Sequence, residues 1–213
     1  MAIATPSVIR FDAPGSPRAI ILMLHGGKPN SHAPVEDGSA SWRRSAWMAR
    51  SIAARAHDAG LSVWLLRYRE RGWNGGGGDR IADAQWALDR VREEHGDVPV
   101  ILLGHSMGAR VAVHVAHDPS VVGVVALAPW WSSSDPVDTL AGRSLVAAHG
   151  RRDRLTSFAQ TQQFVERAQS VAAGAEFVDM GRRGHYLLVG ASAWNDVAIA
   201  SALQILMCAH AAR

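Results

Sequence analysis

The sequence predicts an α/β fold, a three-layer α/β/α sandwich with a mostly parallel sheet, and three observations predict it. Short β-branched or leucine-rich runs alternate with longer amphipathic runs, as strands do when crossover helices return them in parallel. The 213 residues are 48% hydrophobic and only 19% charged, which supplies apolar area for one sizeable core and excludes disorder and a coiled coil. No internal repeat divides the chain, so residues 1–213 are expected to form a single domain.

The elements follow in order. Ala19 to Leu24 is a buried strand ending at His25-Gly26-Gly27, and Ser41 to Ala59 carries Trp47, Ile52 and Ala56 at helical spacing before Gly60. Strand Leu61 to Arg67 leads to a glycine-rich loop, Gly72 to Gly78, expected to be the least ordered part. Helix Asp79 to His95 follows, with Ile81, Gln85, Leu88 and Arg92 marking successive turns. Val98 to Leu103 then runs into Gly104-His105-Ser106-Met107-Gly108 and a helical stretch, Ala109 to His117, which reads as strand, tight turn, helix. Val121 to Leu127 and Leu145 to Ala148 repeat the strand pattern on either side of a polar segment, Trp130 to Asp138. Helix Thr156 to Ala172, strand Ala175 to Met180 and a terminal helix from Trp194 to Ala209 complete the alternation.

Charge and cysteine content exclude several functions. The formal net charge is +3, every basic residue except Lys28 is arginine, and no polybasic block is present to grip phosphates, so nucleic-acid binding is not expected. Cys208 is the sole cysteine, which excludes an internal disulfide and a cysteine-based zinc cluster; the thiol is expected in the core. The longest apolar stretch, Val121 to Trp131, is broken by Gly123 and Pro129 and is too short to cross a bilayer. Met1 to Arg10 lacks the apolar stretch of a secretion signal, so a cytoplasmic location is expected.

A serine hydroxyl is a poor nucleophile at neutral pH. It needs exposure, an adjacent base and donors for the oxyanion it creates. Gly-x-Ser-x-Gly at Gly104 to Gly108 meets the first need, because the apex of a strand-to-helix turn tolerates only small residues two positions either side. His25-Gly26-Gly27 ends an earlier strand, where a backbone without side chains can turn an N–H toward the serine; Gly27 is the candidate donor. Its candidate partner is the N–H of Met107 at the start of the following helix. Asp153 and His185 each follow a later strand, and strand ends on one edge of a parallel sheet converge. In that order His185 takes the proton of Ser106, and Asp153 holds the imidazole tautomer.

Together the His25-Gly26-Gly27 turn, the Gly104 to Gly108 elbow, the His149-Gly150-Arg151-Arg152-Asp153 segment and the Gly184-His185 pair resemble the α/β-hydrolase family. The resemblance spans positions 25 to 185, with Ala109 where many members have glycine. It implies Ser106 as nucleophile, His185 as base, Asp153 as acid, and the Gly27 and Met107 N–H groups as oxyanion hole. It also implies a carboxylesterase-like serine hydrolase acting on a small-molecule acyl substrate without metal or organic cofactor. An acyltransferase or cofactor-free perhydrolase, and a non-catalytic binding protein, are the alternatives. The short N-terminal segment before Ala19 leaves no room for the family's longer hairpin, and Pro129 to Gly142 is too short for a cap domain. An open or shallow site is expected, with Gly75 to Gly78 as a mobile border. Trp130 and Trp131 are candidate walls for the acyl or alcohol group, or else cover for the core.

The remaining candidates have plainer readings. His114 and His117 share a helix face without a carboxylate at matching spacing, so they are expected to be satisfied or solvated rather than metal ligands. Arg67, Arg69 and Arg71 read as a solvated charged loop before an anion site. Gly75 to Gly78 lacks the Gly-Lys-Ser/Thr of a phosphate loop. Asp135, Asp138 and Asp179 are alternative acids, each less well placed after a strand than Asp153.

Overall fold

The computed structural model describes residues 5–211; the first four residues of the Met1–Arg10 segment lie outside the described residues. The strands are β1 (Ser7–Phe11), β2 (Ala19–Leu24), β3 (Leu61–Arg67), β4 (Val100–His105), β5 (Val121–Leu127), β6 (Ser144–His149) and β7 (Gly174–Asp179). The helices are α1 (Ala40–Asp58), α2 (Gly78–His95), α3 (Met107–Val115), α4 (Phe158–Ala168) and α5 (Ala191–Ala211), with a 3₁₀ turn at Asp138–Leu140.

One seven-stranded sheet runs in the order β1-β3-β2-β4-β5-β6-β7, parallel throughout except for β1. Every residue of β2 and β4 is buried, because helices cover both faces, and this is why their sequences are continuous apolar runs rather than alternating ones. Helices α1 and α5 pack together on one face and α2 and α3 on the other. Phe164 of α4 stacks on Trp131, whose indole N–H donates to the Ala109 carbonyl of α3, which sets α4 on the α3 side.

Four local readings are corrected. Ser7–Phe11, which carries no strong strand pattern, forms an antiparallel edge against β3; its residues are only partly buried, and Arg10 lies over the Trp64 ring at 4.3 Å. Trp47, expected on the buried stripe of α1, is 48% exposed, and Trp42, Met48 and Ala49 take that stripe instead. Cys208 is exposed rather than in the core. Helix α5 is apolar nearly all round, so its periodicity does not tell its buried face, Trp194, Ala198, Ala202 and Ile205, from the side that carries Cys208.

The fourth correction concerns the glycine-rich loop, which is tied down at both ends. Arg80, fully buried on α2, donates to the Gly72 carbonyl at 3.0 Å. Asn74 accepts from the Ser31 N–H at 2.8 Å and donates to the Ser31 carbonyl at 3.1 Å. Trp73 is buried, and only Gly75 and Gly76 between these anchors are fully exposed to solvent along with the start of α2.

Candidate active site

Strand β4 passes into α3 through Ser106, whose backbone sits at φ 54°, ψ −117°. A non-glycine residue at positive φ is strained, and the strain lifts the hydroxyl clear of the sheet edge. The turn closes only because its flanks have no side chains. A Cβ on Gly108 would lie 1.9 Å from the Leu24 carbonyl oxygen, and one on Gly104 would lie 2.4 Å from Ala109 Cα. The Ser106 N–H donates to the Leu127 carbonyl, and the Ser106 carbonyl accepts from Trp130 N–H, so both neighbouring connections brace the turn.

His185 Nε2 lies 3.0 Å from Ser106 Oγ, and Asp153 Oδ2 lies 2.7 Å from His185 Nδ1. Strand β7 is three places from β4 in the sheet, about 14 Å at ordinary strand spacing, so the segment after β7 has to fold back to bring His185 over the serine. Backbone bonds from Arg151 N–H to Gly181 O (2.7 Å) and from Arg152 N–H to Arg183 O (3.0 Å) hold that return. The His105 ring completes it, with Nε2–H donating to the His185 carbonyl at 3.0 Å.

The Asp153 carboxylate is inaccessible to solvent and densely bonded. It accepts the N–H groups of Leu155 (2.8 Å) and Thr156 (2.9 Å) and the Thr156 hydroxyl (2.9 Å). His149 Nε2 stands 3.1 Å from the same Oδ2 that meets His185. Burial alone pushes this carboxyl upward, but the bonds from His149, His185, Thr156 and Leu155 outweigh it and hold Asp153 well below the usual carboxylate range. It is therefore ionised at any working pH. His105 is pushed down to about 3, first by burial and then by His185 beside it, so it is a neutral brace.

Gly27 and Met107 lie against each other: a Cβ on Gly27 would meet the Met107 side chain at 2.5 Å. Neither N–H has a backbone partner among the described residues. The Met107 N–H is one of the orphan donors of the first turn of α3, where the helix dipole favours negative charge. Both donors, one next to Ser106 in the chain, are thus uncommitted among the described residues.

A cavity of about 510 Å³ opens over Ser106 and His185 and is bounded by Gly26, Gly27, Ser39 to Ser41, Arg44, Leu155, Tyr186 and Leu188. Its walls come from the β2–α1 and β7–α5 connections, the start of α1, Arg71 of the β3–α2 connection and Leu155 of the β6–α4 connection. Trp130 and Trp131 are not among them. Trp131 is buried on Phe164, with ring centroids 4.0 Å apart, and Trp130 joins Trp73 in flanking the Arg110 guanidinium. Gly75 to Gly78 does not border the cavity either.

The other candidates are engaged elsewhere. Asp135 accepts from Arg110 (2.8 Å) and lies 3.1 Å from His114, Asp179 pairs with Arg151, and Asp138 and His117 are exposed. Arg67, Arg69 and Arg71 pair with Asp37, Asp83 and Glu36. Among the described residues no group of three or more His, Cys, Asp or Glu side chains is placed to hold a metal ion. Three residues around the site were not anticipated: His105, His149 and Thr156. The one sequence signal was Asp153-x-x-Thr156, the spacing at which an aspartate accepts N–H groups two and three residues on.

The sequence matches the family described as serine aminopeptidase, S33, over residues 15–148, a stretch that holds Gly27 and Ser106 and ends before Asp153. Solved structures share the fold. An alpha-beta serine hydrolase homologue from Coxiella burnetii is 18% identical with a TM-score of 0.71, covering 92% of this chain and 91% of that one. An α/β serine hydrolase without a lid from Xanthomonas campestris is 16% identical with a TM-score of 0.64, covering 90% and 91%. The propionate-bound esterase Est2 from Thermogutta terrifontis is 15% identical with a TM-score of 0.72, covering 95% and 89%. No curated protein matches the chain.

Proposed function

The chain belongs to the serine aminopeptidase S33 family and has the α/β-hydrolase fold, and from that premise we propose that it is a serine hydrolase cleaving a carboxylic ester through an acyl-serine intermediate. The observation that carries the reading is the unbroken relay from Ser106 Oγ to His185 (3.0 Å) to Asp153 (2.7 Å) beside two unpartnered N–H groups. Residues 1–213 act in it as one unit, and a cytoplasmic setting is part of the same proposal.

In this reading Ser106 Oγ attacks the ester carbonyl carbon while its proton passes to His185 Nε2. The Gly27 and Met107 N–H groups take the oxyanion. Asp153 keeps His185 Nδ1 protonated, so that Nε2 presents its lone pair to the serine, and then balances the imidazolium. Collapse of the tetrahedral intermediate breaks the ester C–O bond, and the alcohol leaves with the proton from Nε2. A water then gives its proton to Nε2 and attacks the acyl carbon, the acid departs, and Ser106 Oγ recovers the proton. An aminopeptidase needs a carboxylate to hold the free ammonium group of its peptide; among the described residues no Asp or Glu lines the cavity, which favours an ester over an N-terminal peptide bond.

The test is labelling with a fluorophosphonate probe together with a p-nitrophenyl ester series of increasing chain length. The wild-type protein is expected to be labelled at Ser106 and to prefer short to medium chains. Ser106→Ala is expected to abolish labelling and to lower turnover by about 10⁴-fold or more. An unlabelled wild-type protein would point to a binding role, and product transfer to alcohol or peroxide in place of water would point to acyl transfer.

A further inference from the structure

The cavity over Ser106 has an electrostatic bias that the acyl-serine chemistry does not use. Its charged lining residues are Lys28, Arg44 and Arg71, together with the imidazoles of His105 and His185, and among the described residues no Asp or Glu joins them in the lining. Arg71 is already neutralised, donating to Glu36 at 3.0 Å and to the Pro34 carbonyl at 2.8 Å. Lys28 stands at the exposed rim. Arg44 is different. It is half-buried on the first turns of α1, and its Nη1 is shut off from water with no hydrogen-bond partner among the described residues.

A buried guanidinium donor without an acceptor is unfavourable, and its position makes it more so. Helix α1 carries no acidic residue in its first turn to offset the guanidinium one turn on. The N-terminal residues of α1, Ser39 to Ser41, line the same cavity. Arg44 also borders an adjoining groove of about 530 Å³ with Trp47, Leu188 and Arg43, again without a carboxylate. Exposed apolar side chains therefore flank this cation in the groove, which shares Arg44 and Leu188 with the cavity over the serine: Trp47 is 48% exposed and Leu188 69% exposed.

We propose that Arg44 makes this site selective for an ester that bears a carboxylate, the guanidinium binding the carboxylate while the ester carbonyl sits at Ser106. This rests on the serine-hydrolase reading of the same cavity and adds the substrate class. Arg44 lines the cavity together with Ser106 and has no ion-pair partner among the described residues, so a carboxylate meets the guanidinium from the cavity side, and a short apolar chain between carboxylate and ester matches Leu155, Tyr186 and Leu188.

The experiment compares three esters of equal length and different charge: monomethyl adipate, methyl hexanoate and methyl 6-aminohexanoate. Wild-type kcat/KM is expected to be highest for the adipate monoester, by roughly tenfold over the neutral ester, as one charge-assisted hydrogen bond provides. Arg44→Met is expected to remove that ratio and Arg44→Lys to keep part of it. A role confined to folding would lower all three esters alike and leave the ratio standing. Binding is measured separately by calorimetry on Ser106→Ala protein, which needs no turnover. Monomethyl adipate is expected to bind roughly tenfold more tightly than methyl hexanoate, and to lose that margin when Arg44→Met is added. Equal affinity for the two esters, or a ratio that survives Arg44→Met, overturns the proposal. Absence of hydrolysis and of probe labelling would overturn the serine-hydrolase reading instead, and the calorimetric comparison would still decide Arg44.

Discussion

Two cavities of nearly equal size lie at opposite ends of one sheet, about 540 Å³ at the amino ends of β5, β6 and β7 and about 510 Å³ at the carboxyl ends of β2 and β4. The first is walled by Val122, Leu145, Ala175 and Ile205, and of its two charged residues Arg143 is spent on the Ala141 and His117 carbonyls. The second gathers Ser106, His185, three cations and the free N–H of Gly27. Size does not separate them. The backbone does: at the carboxyl ends most turn N–H groups are bonded but those of Gly27 and of Met107 at the start of α3 are left without a backbone partner among the described residues, whereas at the amino ends the chain enters strands whose groups are bonded in the ladder.

The sharpest break of this contrast is Asp153→Asn. The amide oxygen can still accept from the Leu155 and Thr156 N–H groups, but the NH2 group replaces the acceptor that meets His149, His185 and the Thr156 hydroxyl, so the protein should fold with a lowered melting temperature while ester turnover falls by about 10⁴-fold through the wrong His185 tautomer. Turnover near wild type would remove Asp153 from the acid role and flatten the difference between the two ends.

Next in size is a pair of glycine substitutions read by chemical denaturation. Gly108→Ala drives a methyl group into the Leu24 carbonyl and should cost about 3 kcal/mol or more. Gly174→Ala, in the amino-end cavity with no neighbour within 4 Å of its Cβ, should stay within about 0.5 kcal/mol. Equal costs would mean that the elbow is no tighter than the opposite rim.

The smallest effect per single step, one ring over one pH unit, is on acid stability. His25, next to the Gly26-Gly27 turn, is held down to about 4 mainly by burial, and His105 to about 3. Between the ordinary histidine value near 6.5 and these values the unfolded chain binds protons that the folded chain refuses. Stability is therefore intact above about pH 6.5 and falls as pH drops toward 4, by up to about 1.4 kcal/mol per pH unit for each ring. Urea unfolding between pH 7 and 4.5 measures the slope, and His25→Gln should remove one ring's share. Below about pH 4 Asp153 adds loss of the same sign, since its native carboxylate stays ionised where the unfolded one is protonated.

Physical demands decide which of these features were legible in the sequence. Strands β2, β3 and β5 could be read residue for residue because helices on both faces impose an unbroken apolar run. Strand β1 could not, since a short edge with Arg10 in it carries little signal. Ser106 was visible because its backbone geometry excludes side chains at Gly104 and Gly108, and Asp153 and His185 because parallel strand ends converge. Arg44 was not legible beside the site, and for Trp131 the sequence left cavity wall and core cover both open, of which the structure shows core cover. What surrounds Arg44 is set by the distant Leu188 loop, and Trp131 is claimed by Phe164 from α4, contacts that no local pattern encodes.

The anchored glycine-rich loop has a bearing on the peptide that precedes Lys28. Lys28 donates its N–H to the Arg71 carbonyl and receives the Trp73 N–H on its own carbonyl, each at 2.8 Å, so the orientation of Gly27 is inherited from a segment one crossover away. In the proposed mechanism, slackening of Arg80 or Asn74 would therefore be felt as a slower chemical step with the resting grip on reactant preserved, a dial for rate rather than for affinity.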